Sequence, residues 1–114
     1  MKSNKDARKE KPGDTRETSK RIFEIDLTER FRDRIRALPK ETRREIARTI
    51  EAIQEVLGRP HQHTGVEVRK LRRNYFECRV GLDLRLIFRV EPGLATFTFA
   101  GNHDEVRRYM LSAA

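Results

Sequence analysis

From Tyr75 to Ala100 the apolar residues recur every second position, and that period persists through two tight turns. The runs "YFECRVG" (75–81), "LRLIFRV" (84–90) and "LATFTFA" (94–100) are separated by Gly81–Asp83 and by Glu91-Pro92-Gly93. Gly, Asp and Pro supply the turn conformations that such connections require. Links this short join antiparallel strands only, because a parallel crossover needs a dozen residues or more. A sheet built this way has an apolar face to bury, and the rest of the chain must cover it.

The cover lies upstream, where the period is helical. Asp26 reads as a helix N-cap with Glu29 as its capping-box partner. Leu27, Phe31, Ile35 and Leu38 follow at helical spacing, and Pro39 breaks the helix. A second helix is predicted over about 40–57, with Ile46, Ile50, Ile53 and Leu57 as its stripe. Gly58 and Pro60 are its stop signals. The short link at Pro39 makes the two helices an antiparallel hairpin. "RIFEID" (21–26) reads as a first strand, "VEVRKLRRN" (66–74) as a strand entering a turn, and "DEVRRYMLS" as a short helix with Asp104 at its N-cap. The expected fold is α+β: a small, mainly antiparallel sheet packed on an N-terminal helix hairpin, in the order β-α-α-β-β-β-β with a short C-terminal helix.

Charge divides the 114 residues unevenly. Residues 1–21 hold 8 basic and 4 acidic residues, with only Met1 and Ala7 apolar. Too little apolar surface is present there to offset the entropy of ordering, so a disordered tail is expected, followed by one domain over 22–114. Within 22–114, sixteen of the 18 basic residues are Arg. Arg grips phosphate or carboxylate in a planar fork, although a GC-rich coding sequence also enriches Arg. The formal net charge of +8 favours an anionic partner. A single cysteine rules out an internal disulfide and suits a reducing compartment. No apolar run approaches the roughly 20 residues of a membrane span, and no signal-peptide pattern is present, so a cytoplasmic protein without a membrane partner is expected.

Alternation sorts the strand residues by face. Phe76, Cys78 and Val80 share one face with Leu84, Leu86, Phe88 and Val90, which must meet the helix pair. Arg79, Arg85 and Arg89 fall on the other, open face with Tyr75, Glu77 and Ile87. Clustered guanidiniums repel one another unless an anion or nearby acids such as Glu77 and Asp83 intervene. A phosphate-binding concavity is the functional reading of this face, and the segment after "TFTFA" brings His103 towards it. His61 and His63 lie two apart in a loop, a weak metal pattern, and no metal or other cofactor is expected.

"YFECRVGLDLRLIFRVEPG" followed by "FAGNHDEVRRYM" resembles the RelE/ParE superfamily of bacterial toxins from type II toxin–antitoxin systems. "LPKETRREIARTIEAIQ" is similar to the second helix of that superfamily, and "EVRKLRR" to its lead-in to the sheet; the likeness spans about 22–111. The resemblance implies a catalytic Arg after the glycine turn, matched by Arg85, and a basic or imidazole residue past the last strand, matched by His103. It further implies an aromatic residue in the C-terminal segment, matched in spacing by Tyr109. The pattern "CRVGLD" resembles the YafQ-type branch, which implies roles for Asp83 and His103, with Arg79 in place of a hairpin His. Lysines that RelE-type members carry on the strand are absent; Arg69, Lys70, Arg72, Arg73 and Arg89 are the candidate RNA-binding residues in their stead.

The activity so implied is cleavage of mRNA, with the ribosome as a partner and translation as the target. RNA carries its own nucleophile, the 2′-OH, so no metal is required. The site must take that proton, stabilise charge on the phosphorane and protonate the 5′-oxygen. An imidazole serves either proton role near neutral pH. The resemblance also implies a cognate antitoxin as partner. It leaves open a gyrase-inhibiting toxin of ParE type, which acts by binding protein, and a relative without toxicity.

Overall fold

Five strands form one sheet, in the spatial order 24–27, 94–101, 84–91, 75–80 and 68–72. The computed structural model describes residues 23–58 and 67–112. The tail expected over 1–21 lies outside them, as do His61 and His63. The strands are β1 (Glu24–Leu27), β2 (Val68–Arg72), β3 (Tyr75–Val80), β4 (Leu84–Glu91) and β5 (Leu94–Gly101). The helices are α1 (Glu29–Arg36), α2 (Lys40–Gly58) and α3 (His103–Ser112). All neighbouring strands are antiparallel except β1 and β5, which run parallel. The expected α+β fold is thus present.

Two boundaries differ from the sequence reading. Asp26 does not cap α1: it lies in β1, paired beside Thr96. The ladder runs one residue further, to Leu27 beside Phe97, so the helix starts only after Thr28. Thr28 is the N-cap, and its Oγ1 accepts from the Phe31 N–H at 3.1 Å. Gly58 closes α2 from inside, as its last residue.

The main core lies between the helix pair and one sheet face. Phe31 from α1 and Ile46 and Ile53 from α2 meet Cys78, Val80, Leu86, Phe88, Ala95 and Phe97. Phe97 stacks on Phe88 at 4.9 Å and tilts against Phe31 at 5.6 Å. Burying an apolar side chain of this size contributes about 1.5–3 kcal/mol, so these three rings dominate the core.

A bulge in β5 then changes the pattern. Phe88 pairs with Phe97, but Ile87 pairs with Phe99, which leaves Thr98 extra. Its hydroxyl donates to the Ile87 carbonyl at 3.4 Å. Before the bulge Ala95 and Phe97 face the helix pair; after it Phe99 points to the opposite side. Phe99 and Ile87 place apolar surface on the face expected to be open. α3 covers it, forming a second core in which Ile87, Phe99 and Val106 are buried against Leu71, Tyr75, Tyr109 and Met110. The face carrying Arg79, Arg85 and Arg89 is therefore only partly open, because exposed Ile87 and Phe99 would cost the burial that α3 supplies.

Cys78 is 1% exposed, and burial pushes its thiol up to about 12. The native thiol should resist Ellman's reagent at pH 8 and react fully once guanidinium unfolds the chain. Because the unfolded thiol ionises at lower pH, stability should fall as pH rises from about 9 towards 12. Rapid labelling of the folded protein would contradict this packing.

Candidate active site

Cross-strand register assembles the site. Arg69 pairs with Glu77 across β2–β3, Arg79 with Arg85 across β3–β4, and Arg85 with Gly101 across β4–β5. Directly opposed residues have Cβ atoms about 4.5–5.5 Å apart, so Arg79 and Arg85 are crowded together, with Arg69 beside Glu77 in a neighbouring pair. Glu77 compensates. Its Oε2 lies 3.7 Å from Nε of both Arg69 and Arg85, and its side chain is only 12% exposed. Arg85 is nearly as enclosed, at 15%.

The C-terminal segment brings in the imidazole. Gly101 allows a close crossing: a Cβ there would sit 2.8 Å from Glu105 Oε1 and 3.0 Å from the Phe99 ring. A reciprocal capping box follows. Asn102 Oδ1 accepts from the Glu105 N–H, and Glu105 Oε1 accepts from the Asn102 N–H, both at 2.8 Å. Arg34 reaches over from α1, its Nη2 at 3.0 Å from Glu105 Oε1 and its Nε donating to the Ala100 carbonyl at 2.7 Å. The Asn102 backbone bond, then Arg34, hold the Glu105 carboxyl below its ordinary pKa. Asn102, not Asp104, is thus the N-cap, and His103 is the first residue of α3, exposed at the strand end.

Glu67, Arg69, Glu77, Arg79, Arg85 and His103 line one cleft of about 110 Å³. That is below the roughly 300–1,000 Å³ of pockets that engulf a drug-sized ligand, so the cleft suits a single charged group. Three guanidiniums against two carboxylates leave an excess positive charge. The set can bind an oxyanion, stabilise added charge on it, and move protons through an imidazole or a carboxylate. Among the described residues no group of three or more His, Cys, Asp or Glu could hold a metal ion.

The other candidates lie elsewhere. Asp83 is exposed in the β3–β4 turn and does not line the cleft. Lys70 pairs with Phe76, which places it on the helix side of the sheet. Arg73 is exposed in the β2–β3 turn. Arg72 donates to the Met110 carbonyl and so ties β2 to the end of α3. Arg89 hydrogen-bonds Tyr75, which raises its pKa further, and lies near Glu91 at 3.9 Å. Tyr109 stacks on Phe99 at 4.4 Å and 3°, outside the cleft. Glu67 was not singled out from sequence, since an exposed acid before a strand carries no pattern. Asn102 and Glu105 did carry one, the Asn-x-x-Glu spacing of a capping box.

No family model and no curated protein matches this sequence. Solved structures do match in fold. A RelB–RelE antitoxin–toxin complex from Methanococcus jannaschii aligns with TM-score 0.58 at 19% identity, over 74% of this chain and 96% of that one. A metal-bound toxin from Helicobacter pylori gives 0.58 at 15%, over 75% and 99%. The YoeB dimer from Staphylococcus aureus gives 0.54 at 14%, over 72% and 98%. The chain has the fold of the RelE-type toxins.

Asn102→Ala should destabilise the protein by about 1 kcal/mol in urea unfolding, through loss of the cap that starts α3. The lowered pKa of Glu105 means that its contribution is present above the ordinary carboxylate range and lost as pH falls through that range and below. Glu105→Gln should flatten this acid limb of the stability profile. An unchanged limb would show that the box does not anchor the helix.

Proposed function

We propose that the protein is the toxin of a toxin–antitoxin pair and acts as an endoribonuclease on mRNA. The observation that carries this reading is the convergence of His103 with Arg69, Arg79 and Arg85 in one cleft. The fold supports it: the Methanococcus jannaschii protein of the same fold was solved as a toxin with its antitoxin. A cognate antitoxin, mRNA and the ribosome are the partners of this reading.

The cleft residues take distinct roles. Arg79, exposed, and Arg85, held by Glu77, receive the scissile phosphate and stabilise the charge that builds on it. The 2′-OH of the substrate attacks that phosphate and forms a 2′,3′-cyclic phosphate while the 5′-oxygen leaves. His103 and Glu67 supply the two proton-transfer groups of the cleft, and each such contribution is worth about 10²–10⁴ in rate. No metal enters this scheme. Arg85 cannot be treated as a surface residue. Removing it leaves Glu77 paired only to Arg69, whose side chain is 72% exposed, so stability falls along with activity.

His103→Gln should slow RNA cleavage by about 10² or more with nearly unchanged RNA affinity, as a group needed in the transition state requires. Arg79→Ala should reduce both rate and affinity in a folded protein. Added EDTA should leave wild-type cleavage intact. Primer extension on cellular RNA after induction, followed by cleavage assays in a coupled translation reaction, checks all three. Full cleavage and full toxicity of a folded His103→Gln protein would overturn the reading in favour of a toxin that acts by binding protein.

A further inference from the structure

A second cationic notch lies on the other side of the α3 N-terminus, where α1, β5 and α3 meet. It is lined by Arg30, Arg34, Phe99, Glu105, Arg108 and Tyr109, with Ser112 at its rim, and encloses about 240 Å³. Its three guanidiniums are held in different ways. Arg34 spends its donors on Glu105 and on the Ala100 carbonyl. Arg30 has no carboxylate partner among the described residues. It is held by two aromatic rings, its guanidinium carbon 5.1 Å from the Phe99 centroid and 5.0 Å from that of Tyr109. Contact with the rings gives the Arg30 N–H donors no oxygen partner, so those that grip phosphate remain for a ligand. Arg108 is exposed; its charge acts on Glu105, but it forms no ion pair or hydrogen bond with another described residue.

The notch stands close to the cleft. His103 and Arg108 belong to the same helix, five positions apart, or about 7.5 Å along its axis. The single carboxylate of the notch, Glu105, is already committed to the cap and to Arg34. What remains for a ligand is Arg30 and Arg108 beside an aromatic stack. This combination suits a phosphate of single-stranded nucleic acid, where cations track the backbone and rings accept a base.

We propose that Arg30 and Arg108 form a second phosphate subsite, which holds the RNA strand one or two nucleotides away from the phosphate in the cleft. This rests on the ribonuclease reading above and adds where the strand runs: over the α3 N-terminus, from β3–β4 towards α1. The subsite contributes binding of the strand and no step of the chemistry. The Phe99–Tyr109 stack, which does not line the cleft, positions Arg30.

The test is fluorescence anisotropy with a labelled 12-nucleotide RNA methylated at every 2′-oxygen, which binds but cannot be cleaved. Affinity is read across a salt series for the wild type, Arg30→Gln, Arg108→Ala and Arg79→Ala. Each lost phosphate contact on a single strand should lower the slope of log K against log salt by about 0.7. Arg30→Gln and Arg108→Ala should each show that change with a three- to tenfold loss of affinity. Arg108→Ala alters an exposed side chain and keeps the test valid if Arg30→Gln perturbs packing. If both variants bind as wild type while Arg79→Ala binds less tightly, the second subsite is wrong and the cleft reading stands. If all three bind as wild type, the nucleic-acid reading itself fails. If polyglutamate displaces the RNA from wild type and Arg79→Ala but not from Arg108→Ala, the notch serves an acidic protein partner and the RNA subsite is overturned.

Discussion

The ladder between β4 and β5, broken once at Thr98, is the constraint on which both sides of the molecule depend. β5 is bonded to β4 on one edge and to β1 on the other, and its residues from Ala95 to Gly101 are all buried. Up to Phe97 it faces the helix pair, with Phe31 and Phe88 in contact. One extra residue then turns Phe99 to the opposite side. Without that change of phase α3 would have no apolar seat, and Glu105 would not lie against Gly101 and Arg34. The bulge costs a ladder bond locally, and the Thr98 hydroxyl partly offsets it by donating to Ile87. What it permits is a second small core directly beside the cleft.

Electrostatics at the cleft is a matter of position more than of net charge. Arg79 and Arg85 face each other across two strands, an arrangement that is destabilising when left alone. Glu77, nearly buried between Arg69 and Arg85, makes the row tolerable and orients Arg85. Arg79 remains exposed at the mouth and forms no ion pair with another described residue. The result is a cleft that keeps some attraction for an anion without the full repulsion of three bare guanidiniums. The same logic separates the two arginines that flank Phe99: Arg34, 4.6 Å from the ring centroid, spends its donors on Glu105 and Ala100, and Arg30 keeps its own.

Much of this was legible in the residues. The two-residue period of β3 and β4 sorted Cys78, Leu86 and Phe88 from Arg79 and Arg85, because alternation follows from the pleat and nothing in those strands interrupts it. The helix stripe through Ile46 and Ile53 was equally plain. The N-cap of α1 was not. Asp26 has the right chemistry for an N-cap and Thr28 has it too, and the choice was made by β1 pairing with β5 some seventy residues away. Among the site candidates, those on β3 and β4 were read with the correct face, whereas Lys70, Asp83 and Tyr109 had only spacing or resemblance to place them.

The local sequence by itself determined the elements, the faces of the central strands and the charge available to them, because each of these depends on residues a few positions apart. Tertiary structure alone decided the parallel pairing of β1 with β5, the half-turn of Phe99 at the bulge, and the partial covering of the expected open face by α3. It also decided which of sixteen arginines in the domain share a cleft with His103. Those outcomes turn on contacts between segments far apart in the chain, where register and burial compete for the whole sheet at once, and no local pattern encodes the winner.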